Sequence, residues 1–395
     1  VSTPGADTGA KTDGRAHDGS SRDAQASEAS AAGDASGAGD ASGAGVQCGY
    51  HESTYNSSPS VKATSTATWT CTSTERNLVA NGLPDHETGT FPNPNCPNTI
   101  SAYSVTASLP LVPSNTGTSS RVQPSGYQLN GVKYDPGTAG GCTSPTDAGV
   151  DGGGVSCSLL GTSWSWNIEA LGQSSFNFGV DSSNAHVQPT GEYHYHGMPE
   201  ATLALLNKGM TPTLVGFALD GFPVYARYGY STPMDATSAV KVIKGSYQLK
   251  STPDPGRPST ATYPMGAFTE DYEYVAGSGD LDECNGRTDV TPEYPKGTYH
   301  YYITDTYPFI QRCVMGTASS SGMTMTGGPS GDGGMGGAMM MGDAGASCTA
   351  SSCSSEDVCC PSGQPCAGQC VPNCTKGGTC PSGMSCNDSL GICTP

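Results

Sequence analysis

Val215-Gly216-Phe217-Ala218-Leu219-Asp220-Gly221-Phe222-Pro223-Val224-Tyr225 carries the pattern that decides the fold. Val215, Phe217 and Leu219 alternate with smaller residues. Side chains two apart on a strand share a face, so this is the signature of a strand with one face in a core. Asp-Gly follows, a dipeptide that accepts the left-handed backbone of a tight hairpin, and the apolar run then resumes. Outward from there the same signals recur. Trp164, Trp166 and Ile168 alternate with Ser165 and Asn167, and Lys296-Gly297 precedes Thr298-Tyr299-His300-Tyr301-Tyr302-Ile303. The one helical stretch is short, near Pro199–Gly209. The expectation is a mainly β protein whose central domain is β-sandwich-like with short helical insertions.

Composition points the same way. Of 395 residues, 55 are Gly and 29 Pro, against 13% charged residues, which suits turn-rich β structure better than helical bundles. The formal net charge is -18 with no basic run, which argues against a nucleic-acid partner. Excess acid attracts cations, but an ordinary acidic secreted surface is the better explanation of the charge alone. Seventeen cysteines, ten of them in the last 48 residues, imply an oxidising, extracytoplasmic location, secreted or at the cell surface. No stretch approaches the roughly 18 apolar residues that span a bilayer. The numbering begins at Val1, and a leader or lipid-bearing cysteine removed ahead of it would suit a cell-surface placement.

Four segments are expected. Residues 1–46 are Gly, Ala, Ser and Asp, with Gly-Asp-Ala-Ser-Gly-Ala occurring twice, and read as a disordered tether. Residues 47–316 hold all three Trp and six of the seven His and form the globular body. Residues 317–347 form a Met/Gly-rich linker, and seven of the twelve Met fall between 315 and 341. Residues 348–395, with ten cysteines, form a small disulfide-rich module that needs staples because its core is small.

The chemistry concentrates in Gly191-Glu192-Tyr193-His194-Tyr195-His196-Gly197. On a strand His194 and His196 share a face while Tyr193 and Tyr195 take the other. Gln188-Pro189-Thr190-Gly191 reads as a turn that folds His186 back beside the pair. His300, within Gly297-Thr298-Tyr299-His300-Tyr301, and His86, within Asn81-Gly82-Leu83-Pro84-Asp85-His86, complete a set of five candidate ligands. An HxH pair plus remote histidines is a common way to build copper and zinc sites, and the bland alternative is structural histidines bonded to backbone or tyrosine. Thioethers in the Met-rich segment are soft ligands that favour Cu(I), which places copper above zinc.

Several of these motifs resemble the YHYH-domain family of bacterial secreted proteins. The matching residues are Tyr193-His194-Tyr195-His196-Gly197, Asn184-Ala185-His186-Val187-Gln188-Pro189 and Leu281-Asp282-Glu283-Cys284-Asn285-Gly286, supported by 81–86 and 218–225. The resemblance covers about residues 75–316 and implies shared positions without an activity. The spacing of the last ten cysteines resembles granulin-like or Dickkopf-like modules.

Other sites are weaker. Asp280-Leu281-Asp282-Glu283-Cys284-Asn285-Gly286-Arg287 offers oxygen ligands suited to calcium, or a structural turn in which Cys284 bridges Cys313 and Arg287 pairs with an acid. The body has seven cysteines, so one is left over unless it bridges elsewhere. No G-x-S-x-G elbow, P-loop or dinucleotide fingerprint occurs. The leading expectation is an extracytoplasmic metal-binding protein with copper as its ion, and a metal-dependent oxidoreductase or hydrolase is its enzymatic version. The alternative is a non-catalytic surface protein that binds glycan or protein partners.

Overall fold

The computed structural model describes residues 45–145, 154–161 and 164–319, together with four three-residue strands near the C-terminus. Those strands pair as two small hairpins, Asp357–Cys359 with Cys370–Pro372 and Ser385–Asn387 with Ile392–Thr394. The expected tether, nearly all of the Met/Gly-rich linker and the remainder of the cysteine-rich module lie outside the described residues. Strands make up 32% and helix 4%, so the protein is mainly β.

Two large sheets dominate the body, beside a three-stranded sheet and several two-stranded pairs. The first is an antiparallel meander of β1 (His51–Asn56), β2 (Ala63–Cys71), β3 (Glu75–Ala80) and β4 (Val105–Pro110). Along β2, Ser65, Ala67 and Trp69 are buried while their neighbours are less so, the alternation of a strand with one covered face. The second sheet has eight strands: β5 (Gly126–Gln128), β6 (Lys133–Tyr134), β7 (Ala185–Val187), β8 (Tyr193–Tyr195), β9 (Thr213–Ala218), β10 (Pro223–Ala226), β11 (Gly286–Asp289) and β12 (Thr298–Ile303). Its spatial order is β7-β8-β6-β5-β9-β10-β12-β11. Neighbours are antiparallel except β8 beside β6 and β10 beside β12, which run parallel. Strands β9, β10 and most of β12 are buried throughout, as strands covered on both faces must be.

The sheets meet in one apolar cluster that joins Ala67, Trp69, Leu78, Val105 and Leu109 to Tyr127, Phe217, Leu219 and Tyr225. Trp69 anchors it. Its ring lies 5.3 Å from that of Phe217, and its indole N–H donates to the Leu129 carbonyl at 2.9 Å. A second cluster on the far face of the larger sheet includes Tyr193, Tyr195, Tyr299 and Tyr301. The Asp220-Gly221 turn forms as its residues predict. The Gly221 N–H donates to the Ala218 carbonyl, and its φ is +88°, where only Gly escapes strain. A Cβ there would also meet the Pro110 carbonyl oxygen of β4 at 2.0 Å.

The helix α1 (Glu200–Leu206) follows β8 and ends at Asn207, which takes left-handed φ and donates its N–H to the Leu203 carbonyl. Among the described residues three disulfides are present, Cys48–Cys71, Cys142–Cys157 and Cys284–Cys313, the last as the sequence suggests. Cys96 is the odd thiol, free and buried. Among the described residues no helix is long and apolar enough to cross a membrane.

Candidate metal centre

Residues 188–191 reverse the chain and set β7 against β8 with His186 directly opposite His194. The Gly191 N–H closes the turn on the Gln188 carbonyl at 2.9 Å, with Gly191 at φ +90°. Directly opposed residues project to the same face of a sheet, and His196 lies two residues beyond His194. Three imidazoles therefore meet. Ring centroids are 4.7 Å apart for His186 and His194, 4.8 Å for His186 and His196, and 4.8 Å for His194 and His196. One ligand atom from each lies within 4.8 Å of the other two, and the two Nε2 atoms of His186 and His196 are 3.1 Å apart. Nitrogens about 2.0–2.1 Å from a tetrahedral ion stand roughly 3.4 Å from one another, a spacing close to that of the His186–His196 pair and one toward which wider separations would have to close.

Two of the three outer nitrogens are tied down as a metal site requires, and His196 Nδ1 is buried without a hydrogen-bond partner among the described residues. His186 Nδ1 lies 2.8 Å from the Phe178 carbonyl, and His194 Nδ1 lies 3.1 Å from the Glu192 carbonyl. A carbonyl only accepts, so both rings carry their proton on Nδ1 and present a bare Nε2 lone pair to the centre. This is the backbone support that ligating histidines show. Burial pushes all three imidazoles below their ordinary range, His194 and His196 well below it. The neighbouring imidazoles and Lys133 add to the depression at His194, and His186, Arg312 and Lys133 do so at His196. Neutral imidazole is the form that ligates, so the site is set for a cation without first losing protons.

Lys133 reaches this face from β6, the parallel neighbour of β8, where it stands opposite His194. Its ammonium is 3.0 Å from Glu192 and 3.7 Å from Asp135, and it donates to Gln188 at 2.8 Å. The two carboxylates offset this ammonium, whose charge works with burial to keep the rings neutral. Nothing in the linear sequence marks Lys133 or Asp135 as members. They arrive through a parallel pairing whose partner is remote in the chain.

The other two candidate histidines sit elsewhere. His86 lies on the tyrosine side of β8, where its Nε2 is 2.5 Å from the Tyr195 hydroxyl and its ring packs edge-on to Tyr193. His300 is buried on β12 between Tyr225 and Tyr302, each ring 4.9 Å away, and lies opposite Arg287 rather than another histidine. Neither belongs to the three-histidine group. Two of the three carboxylates suggested for calcium are already engaged. Asp282 accepts the N–H groups of Cys284 and Gly286 and the Tyr299 hydroxyl, and Asp280 accepts from Lys241. They join no metal-holding group among the described residues. Arg287 pairs with Asp289.

Fold and site together define a disulfide-bonded, mainly β protein with a largely buried three-histidine cluster at one end of its larger sheet. The YHYH protein family model matches residues 102–316, more than half of the chain, and the chain belongs to that family. The match takes in the whole three-histidine cluster and begins after His86. No curated protein and no solved structure gave a significant match.

Proposed function

We propose that this is an extracytoplasmic metal-binding protein that holds its ion on His186, His194 and His196, and that the ion is copper. The observation that carries the reading is the convergence of three imidazoles, those of His194 and His196 buried and that of His186 half-buried, with His186 and His194 locked by backbone carbonyls and their Nε2 facing inward. Imidazole suits copper and zinc alike, and the Met-rich stretch of the same chain supplies the soft donors that tilt the choice to copper. Three disulfides support an oxidising compartment. Three protein ligands leave a coordination position for water or a substrate, so any catalysis here would be metal-dependent.

Metal analysis of the full chain purified without chelators tests the reading. The expected result is about one equivalent of metal, with copper retained over zinc in competition and uptake abolished in His194→Ala/His196→Ala. Free ion at about 100 times Kd stabilises the folded state by roughly 2.7 kcal/mol, which raises the melting temperature by about 5–10 °C in a domain of this size. A wild-type chain with no stoichiometric metal and no melting shift on adding Cu(II) or Zn(II) would end the proposal. Preference for zinc would overturn the copper assignment alone.

A further inference from the structure

The larger sheet contains one four-stranded unit twice. Strands β5 to β8 lie in the order β7-β8-β6-β5, and β9 to β12 in the mirrored order β9-β10-β12-β11. In each unit the first two strands form a hairpin, the fourth runs parallel to the second, and the third pairs antiparallel with the fourth. The hairpins read Leu129-Asn130-Gly131 and Leu219-Asp220-Gly221, with both glycines at positive φ. Ladder positions match as well. Gly126 faces Tyr134 as Gly216 faces Val224, and Ala185 faces Tyr195 as Gly286 faces Tyr301.

Hydrogen bonds repeat with the strands. The Tyr193 hydroxyl donates to Asp181 at 2.7 Å, and the Tyr299 hydroxyl donates to Asp282 at 2.7 Å. Asn184 and Asn285 both take left-handed φ, +55° and +62°, and their carbonyls accept the N–H of His196 and of Tyr302 at 2.8 and 2.9 Å. His194 Nδ1 sits 3.1 Å from the Glu192 carbonyl, and His300 Nδ1 sits 3.1 Å from the Thr298 carbonyl. This correspondence gives every member of the three-histidine cluster a counterpart: Arg287 for His186, His300 for His194 and Tyr302 for His196. Asp289 takes the place of Gln188.

We infer that the sheet is a tandem duplication of one cation-holding unit, and that in the second copy the Arg287 guanidinium stands where the first copy holds its ion. The second copy keeps one ligand-type group, His300 Nε2, which is buried and has no hydrogen-bond partner among the described residues. Beside it the guanidinium lies 5.4 Å over the Tyr302 ring and donates to the Tyr230 carbonyl at 2.8 Å as well as pairing with Asp289. A tethered positive charge thus links the third and fourth strands of the second copy without any ion. Arginine is the side chain suited to such a buried pairing, being always charged and planar. The equivalence of positions stands on the repeated bonds. Only the statement that the first copy holds an ion rests on the proposed metal site.

The test restores a site in the second copy after removing the first. In the His194→Ala/His196→Ala background, Arg287→His, Asp289→Gln and Tyr302→His are added with His300 untouched, and Cu(II) and Zn(II) binding is measured by metal analysis and, for copper, by nitrogen hyperfine coupling. Stoichiometry is expected to rise from about zero to about one. A folded variant that takes up no metal overturns the inference, while metal uptake by the wild type reads the proposed function separately. If the variant does not fold, the mirror change decides: His186→Arg/Gln188→Asp/His196→Tyr in the first copy. It is expected to fold with a melting temperature above that of His186→Ala/His196→Ala in the presence of chelator, and a lower one overturns the inference.

Discussion

Replacing His300 by Asn gives a measurable change in acid stability. The His300 ring is fully buried, with Nδ1 donating to the Thr298 carbonyl, a bond that an Asn amide can copy. Burial, reinforced by the Arg287 charge and opposed by the Thr298 bond, holds its pKa down at about 3. In the unfolded chain the ring titrates at about 6.5, so between those values the unfolded state binds a proton that the folded state refuses. The stabilisation is complete above about pH 6.5 and is lost progressively as pH falls toward 3. At pH 5 the loss is about 2 kcal/mol, and at pH 7 it is only about 0.2 kcal/mol. The three clustered histidines titrate in the same sense in both proteins and cancel in the comparison. Urea unfolding at pH 7 and pH 5 in chelator should therefore show the wild type losing about 2 kcal/mol more than His300→Asn, roughly a 1 M larger drop in midpoint at an m-value near 2 kcal/mol/M. Equal losses would show that His300 becomes protonated in the folded state and would refute its placement in a closed site.

Three further outcomes are expected. Asn184→Ala should be about 1 kcal/mol less stable than Asn184→Gly in urea unfolding, because both lose the side-chain bond to the Met198 carbonyl but only Ala is strained at φ +55°; equal stabilities would deny the left-handed turn. Arg257→Ala should cost about 3–5 kcal/mol, since it strands buried Asp271, which the guanidinium meets at 2.6 and 2.7 Å. A cost under about 1 kcal/mol in thermal unfolding would contradict that burial. Cys96 should resist alkylation in the native protein and react after denaturation, as read by peptide mapping, because its thiol is enclosed and lies 3.2 Å from the Val187 carbonyl; rapid native labelling would contradict it.

Local signals in the sequence carried far. Asp220-Gly221 and the 188–191 turn mark hairpins because their residues tolerate left-handed backbone, and the second of these turns brings His186 to His194. Period-two alternation separates the histidine face of β8 from its tyrosine face. Non-local pairings are another matter. Nothing near His194 in the chain announces that β6 runs parallel beside it and delivers Lys133. His86 stands in a Gly- and Pro-containing segment and His300 in a Tyr-rich one, both like parts of the cluster's own surroundings, yet His86 approaches β8 from the tyrosine side and His300 belongs to the second copy. The duplication itself is veiled because ligand positions have diverged to Arg and Tyr while the turn and hydrogen-bonding residues have stayed alike.

The outermost strands of the larger sheet, β7 and β11, are three and four residues long. Gln188-Pro189 follows β7, and β11 carries Arg287 and Asp289 before Val290-Thr291-Pro292. The Val187 carbonyl, at the end of β7, is capped by the Asn98 amide at 2.8 Å. Brevity, proline and charge leave little template for a foreign strand to add to either margin. The architecture therefore guards against sheet extension into fibrils at the same border where its imidazoles gather.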